Sequence, residues 1–156
     1  MSVTNGSVSI PVAVELETRH QGGEPEIRRY AGLLYPKPRG SYLVYEEAAD
    51  AGVQTRTTVR FGDGELKLVR RGAVESEQAF AAGRVTLGSY RLPSGIFELE
   101  TRTDALRVDT GASDEQGMAA EWPRPLNVTA EWQYDLKLGG EPAGNFEIRL
   151  HIREEE

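Results

Sequence analysis

Apolar and polar residues alternate along most of this chain with a period of two. The clearest stretch puts Val128, Ala130, Trp132, Tyr134, Leu136 and Leu138 on one parity, and Thr129, Glu131, Gln133, Asp135 and Lys137 on the other. Successive side chains of a strand point to opposite faces, so this pattern describes a strand with one buried and one wet face. No stretch of ten or more residues shows helical spacing. A chain patterned this way throughout predicts an all-β fold, either a barrel or a sandwich.

Turn signals divide the pattern into ten or eleven strands. Val8, Ile10, Val12, Val14 and Leu16 line the first, where Pro11 lacks an N–H and marks an edge or a bulge. Residues 27–35 form a second strand with a bend site at Gly32, and residues 42–45 a third. Residues 46–50 begin a loop that ends at Gly52. Residues 53–61 and 65–71 flank the hairpin signal Gly62-Asp63-Gly64. Residues 73–80, 85–92, 96–103 and 106–109 continue the meander, and residues 110–125 read as a polar loop with two prolines. Two long strands, 127–138 and 145–153, follow, joined by residues 139–144. So many antiparallel strands expose unpaired edges unless the sheet closes. Closure gives an up-and-down barrel of the lipocalin or calycin kind, of about 8 to 11 strands. A two-sheet sandwich is the alternative, and the long terminal strands favour closure because they can pair.

With 156 residues the chain is one domain, residues 1–156, with 1–6 and 154–156 as flexible tails. The absence of cysteine removes disulfides, thiolate metal sites and thiol catalysis together. The polar N-terminus has no signal-peptide pattern, and no apolar run approaches the ~20 residues of a membrane helix. A cytoplasmic protein without membrane contact is expected. The net charge of −7 argues against general nucleic-acid binding. It is unevenly spread: residues 54–91 carry seven basic and four acidic groups, whereas residues 92–156 carry six and fourteen.

Three blocks carry a resemblance: Tyr42-Leu43-Val44-Tyr45-Glu46-Glu47, Leu66-Lys67-Leu68-Val69-Arg70-Arg71-Gly72, and Gly95-Ile96-Phe97-Glu98-Leu99-Glu100-Thr101-Arg102-Thr103. In order and spacing they resemble the YwiB-like family, small bacterial β-barrel proteins placed among the calycins. The resemblance implies a lipocalin-like barrel and brings no catalytic residues with it.

No catalytic, metal or nucleotide motif stands out, and no cofactor is implied. His20 and His151 would form half a metal site if the terminal strands bring them together, but two surface histidines are the simpler reading. Glu98 with Glu100, and Glu15 with Glu17, sit at strand spacing that could serve acid–base work, yet such pairs usually decorate a solvated sheet face. The aromatic residues offer more. Tyr90, Trp132 and Tyr134, with Phe97, Thr101 and Thr103, would line a cup, and Arg102 or Arg91 would hold the polar end of a small amphipathic ligand. The competing reading is that these rings fill a solid core. A second functional class is a protein-interaction or scaffold domain. In it Arg56, Arg60, Arg70 and Arg71 form a basic strand surface for an acidic partner.

Overall fold

The computed structural model describes residues 8–37, 40–48, 54–62, 64–111 and 122–155. Its ten strands are β1 (Ile10–His20), β2 (Glu26–Tyr35), β3 (Ser41–Ala48), β4 (Gln54–Gly62), β5 (Glu65–Gly72), β6 (Glu75–Phe80), β7 (Val85–Leu92), β8 (Gly95–Asp109), β9 (Asn127–Leu138) and β10 (Glu141–Glu154). Each pairs antiparallel with its neighbours in sequence, and β10 returns to pair with β1. The result is the closed antiparallel barrel that the alternation predicts, with no helix among the described residues.

The closing pair runs from Val12↔Glu154 to His20↔Phe146. Pro11 lies just before it, at the very end of the closing pair, where its carbonyl accepts from Glu155 N–H and its missing N–H forgoes only one terminal bond. Three local expectations change. The strands expected at 96–103 and 106–109 are one strand, β8, with a bulge between Thr103 and Ala105. The extra residue shifts the inward parity from Leu99, Thr101 and Thr103 to Leu106 and Val108. Gly139 and Gly140 alone form the last hairpin turn, with φ of 58° and 87°. Positive φ at both central residues matches the twist of the flanking strands and favours glycine. The expected loop at 46–50 begins instead as strand, since β3 continues to Ala48 opposite Gln54.

The interior has two unlike ends. At one, Ile10, Leu34, Leu43, Phe61, Leu66, Phe80, Val128 and Ile152 are all buried. Each such side chain contributes roughly 1.5–3 kcal/mol of burial. Trp122, from the segment read as polar loop, is buried here too and meets Phe61 edge-on at 5.4 Å between centroids. At the other end the inward side chains of Leu16, Tyr30, Leu136 and Phe146 are only partly covered. The barrel is thus closed at the Ile10 end and open at the His20 end.

A latch holds the closed end. Arg124 donates from Nε to Glu154 Oε1 at 2.7 Å and from Nη2 to Oε2, while Leu126 N–H donates to Oε1 at 2.9 Å. Glu154 N–H donates to Leu126 O, and Glu155 N–H to Pro11 O, each at 3.0 Å. Glu154, expected in a loose tail, is therefore a bonded strand residue.

The Arg124 hydrogen bonds, and then the Leu126 N–H, hold the Glu154 carboxyl at about 2 against an ordinary 4.5. A depressed carboxyl pKa contributes stability above the unfolded value that is lost as pH falls through the folded one. Thermal unfolding followed between about pH 5 and 2 will show this loss in the wild type. Glu154→Gln will remove that part of the pH dependence.

Candidate functional site

The pairing of β2 with β3 stops early at the open end. Gly32↔Tyr45 is the last pair, and residues 26–31 of β2 run on beyond it, held by β1. A side chain at position 32 would obstruct this approach, because a Cβ there would lie 2.9 Å from Val44 O. The parting of the two strands leaves a recess of ≈ 840 Å³, lined in part by Leu16, Thr18, Arg28, Tyr30, Glu47 and Arg70.

Its deepest polar feature is an ion pair between strands. Glu47 follows Leu43 and Tyr45 on the inward parity of β3, and Arg70 follows Leu66 and Leu68 on that of β5. Arg70 Nη2 donates to Glu47 Oε1 at 2.8 Å and to Oε2 at 2.9 Å, and Nε donates to Oε2 at 3.3 Å. Thr57 Oγ1, on the intervening β4, donates to Oε2 at 2.6 Å. The side chains keep only 18% (Glu47) and 31% (Arg70) exposure, so the contacts act in a medium less polar than water. Burial alone would lower the Arg70 pKa. The hydrogen bonds and charge of Glu47 outweigh it, so the guanidinium stays charged.

Aromatic rings gather on the inner face at this end of the barrel. Tyr30 and Tyr45 stack at 4.6 Å across the parting of β2 and β3. Burial raises both phenol pKa values, and the Glu47 charge adds to it, so both are neutral donors at physiological pH. Phe146 stacks between His20, at 4.5 Å, and Tyr134, at 5.3 Å. Burial pushes Tyr134 up to about 12, against a hydrogen bond with Gln78. Deeper in, two buried polar atoms, Thr103 Oγ1 and Trp132 Nε1, have no hydrogen-bond partner among the described residues. Leaving such a group unpaired costs about 1–3 kcal/mol.

The aromatic residues singled out in the sequence do face inward. Trp132 and Tyr134 are buried and pack on Phe80 at 5.4 and 4.8 Å. Tyr90 lies opposite Phe97 and next to Ser76, so all three share the inner face. The arginines are sorted differently from expectation. Arg102 and Arg91 belong to the outer parity and cannot serve the interior. Arg102 is 63% exposed and bonds Asp135 at 2.7 Å, and Arg91 faces Glu75 at 3.7 Å. Of the basic residues Arg56, Arg60, Arg70 and Arg71, three share the outer face of β4 and β5 and one does not. Arg56 and Arg71 oppose each other outside and Arg60 lies over Tyr42, while Arg70 points into the barrel. The terminal strands pair, but His20 stands opposite Phe146 and His151 opposite Glu15, so register keeps the histidines apart. His151 instead meets Asn127 Oδ1 at 2.7 Å. No metal-binding cluster occurs among the described residues.

Sequence reasoning missed Tyr30, Tyr45, Glu47 and Thr57. The parity Leu43, Tyr45, Glu47 was available as a signal, but an expected loop start at Glu46 cut it short. A second groove, of ≈ 500 Å³, crosses the outer wall over Glu131 and Arg149. Its walls are exposed ion pairs such as Arg149–Glu131 at 3.5 Å, which contribute little and orient little. The recess at Glu47 and Arg70 is the candidate site.

Removing one partner of a half-buried pair leaves the other charge uncompensated. Glu47→Ala will lower stability by roughly 2–3 kcal/mol, below the range for a fully buried pair because Arg70 retains some solvent. The double variant Glu47→Leu/Arg70→Leu will be more stable than the single one. Urea unfolding of the three proteins checks this.

Comparison with known proteins agrees with this architecture. The uncharacterized beta-barrel protein YwiB of Bacillus subtilis (strain 168) is 36% identical over 81 residues, which are 52% of this chain and 56% of that protein. The chain thus matches little more than half the length of this curated relative. The crystal structure of the ywiB protein from Bacillus subtilis superposes with a TM-score of 0.73 over 95% of this chain and 94% of the other. At 24% identity, that likeness shows a shared fold. Residues 12–150 match DUF1934, a domain of unknown function, and the chain belongs to that family.

Proposed function

We propose that this barrel is a non-enzymatic binding module for a small amphipathic ligand, received at its open end. The observation that carries the reading is the recess of ≈ 840 Å³ beside the Glu47–Arg70 pair. Small-molecule sites combine apolar walls with a few convergent polar groups that fix orientation. Here Leu16 and Tyr30 supply apolar and aromatic surface, and Arg70, held by Glu47, supplies placed donors. The arrangement is that of a lipocalin-like cup, in which a sealed base supports a wider mouth. A cytoplasmic location belongs to the same proposal and is supported by the absence of cysteine.

Native mass spectrometry of protein purified gently from its own host tests the reading. A small-molecule adduct is expected, released on unfolding. Tyr30→Ala and Arg70→Ala will lose it while retaining the barrel's circular dichroism. An adduct unchanged in both variants, or none in any preparation, would overturn the assignment of this site.

A further inference from the structure

The hydrogen bonds that the recess has already spent decide what it can still offer. Both oxygens of Glu47 are engaged: Oε1 by Arg70 Nη2, and Oε2 by Thr57 Oγ1 and by Arg70 Nε and Nη2. An incoming ammonium group would compete with Arg70 for a carboxylate whose charge the guanidinium already balances. Arg70, in contrast, keeps donors in hand. A guanidinium has five N–H groups in a rigid fork, and Nη1 makes no hydrogen bond among the described residues. The phenol of Tyr30, which lines the same recess, adds an O–H donor.

The charge balance excludes the other common head group. Three acidic residues, Glu26, Glu46 and Glu47, and three basic ones, Arg28, Arg29 and Arg70, line the recess. Arg28 is paired with Glu26, and Arg29 with Glu15 at 2.9 Å. Glu46 lies on the outer parity, in register with Arg56. A carboxylate or phosphate would therefore give up its hydration to meet a cation already neutralised by Glu47, inside a chain of net charge −7. What remains is a site rich in donors and poor in net charge.

Resting on the binding reading above, we infer that the ligand presents an uncharged hydrogen-bond acceptor, a carbonyl group on an apolar or aromatic body, to Arg70 Nη1. In this arrangement Glu47 is a positioning residue. It aims the guanidinium and cancels its charge, and so selects a neutral carbonyl over an anion.

Three probes with one aromatic body separate the possibilities: acetophenone, benzoate and benzylammonium. Each is titrated at millimolar concentrations into the full chain while the Arg70 Nε–H resonance is followed by NMR. Acetophenone is expected to shift that resonance saturably, with both charged probes about tenfold weaker, the size of one uncompensated charged contact. Glu47→Gln keeps the shape and frees the Arg70 charge. It is expected to reverse the order, so that benzoate becomes the tightest of the three. A purely structural Glu47 would leave the order unchanged. Benzoate or benzylammonium binding the wild type as tightly as acetophenone would overturn the neutral-carbonyl inference and leave the recess as a ligand site. No shift of Arg70 with any probe would overturn both readings. Should Glu47→Gln fail to fold, the wild-type ranking alone decides.

Discussion

The pairing of β1 with β10 is the interaction on which the rest of the structure depends. An antiparallel meander of ten strands has two unpaired edges until its first and last strands meet. Once they do, every strand has two neighbours, and the two faces of the sheet become an inside and an outside. The inward parity then converges on one volume. That is why residues as remote in sequence as Phe80 and Trp132 touch. The latch of Arg124 on Glu154 sits at the end of this same pair and ties the segment bearing Trp122 across the closed base.

Closure also forces a choice about how the interior is filled. Large apolar side chains pack one end densely, as small barrels usually do. At the other end the strands do not all pair to their tips, and β2 parts from β3 after Gly32. A half-open interior cannot be filled with hydrocarbon alone without exposing it. The chain places Glu47, Thr57 and Arg70 there in a hydrogen-bonded cluster. Among the described residues, Thr103 Oγ1 and Trp132 Nε1 are buried without partners between the two ends.

The outline of the fold was legible because alternation is a local signal. The final strands, with Trp132 and Tyr134 inward, could be read directly, and so could the meander. The errors share one cause, a parity cut short or shifted by a feature that leaves no local mark. The β8 bulge at Asp104 made one strand look like two. Glu46 and Glu47 read as the start of a loop, although Glu47 continues the parity of Tyr45. Arg70 was grouped with Arg56, Arg60 and Arg71 by charge, although its spacing from Leu66 and Leu68 already pointed it inward. Trp122 gave no periodic signal at all, since it lies outside any strand and is buried by the base it covers.

The sequence by itself determined the class of fold: period two sets strands, and glycine and proline set the turns between them. It also determined which residues of each regular strand share a face. Only the tertiary structure decided which inward residues meet. The separation of His20 from His151, the contact of Glu47 with Arg70 across β4, and the gap beside Tyr30 all follow from register and from where pairing stops. Register joins residues far apart in sequence through backbone hydrogen bonds that every residue type makes alike, so it becomes definite only when the whole barrel closes and its interior must be filled.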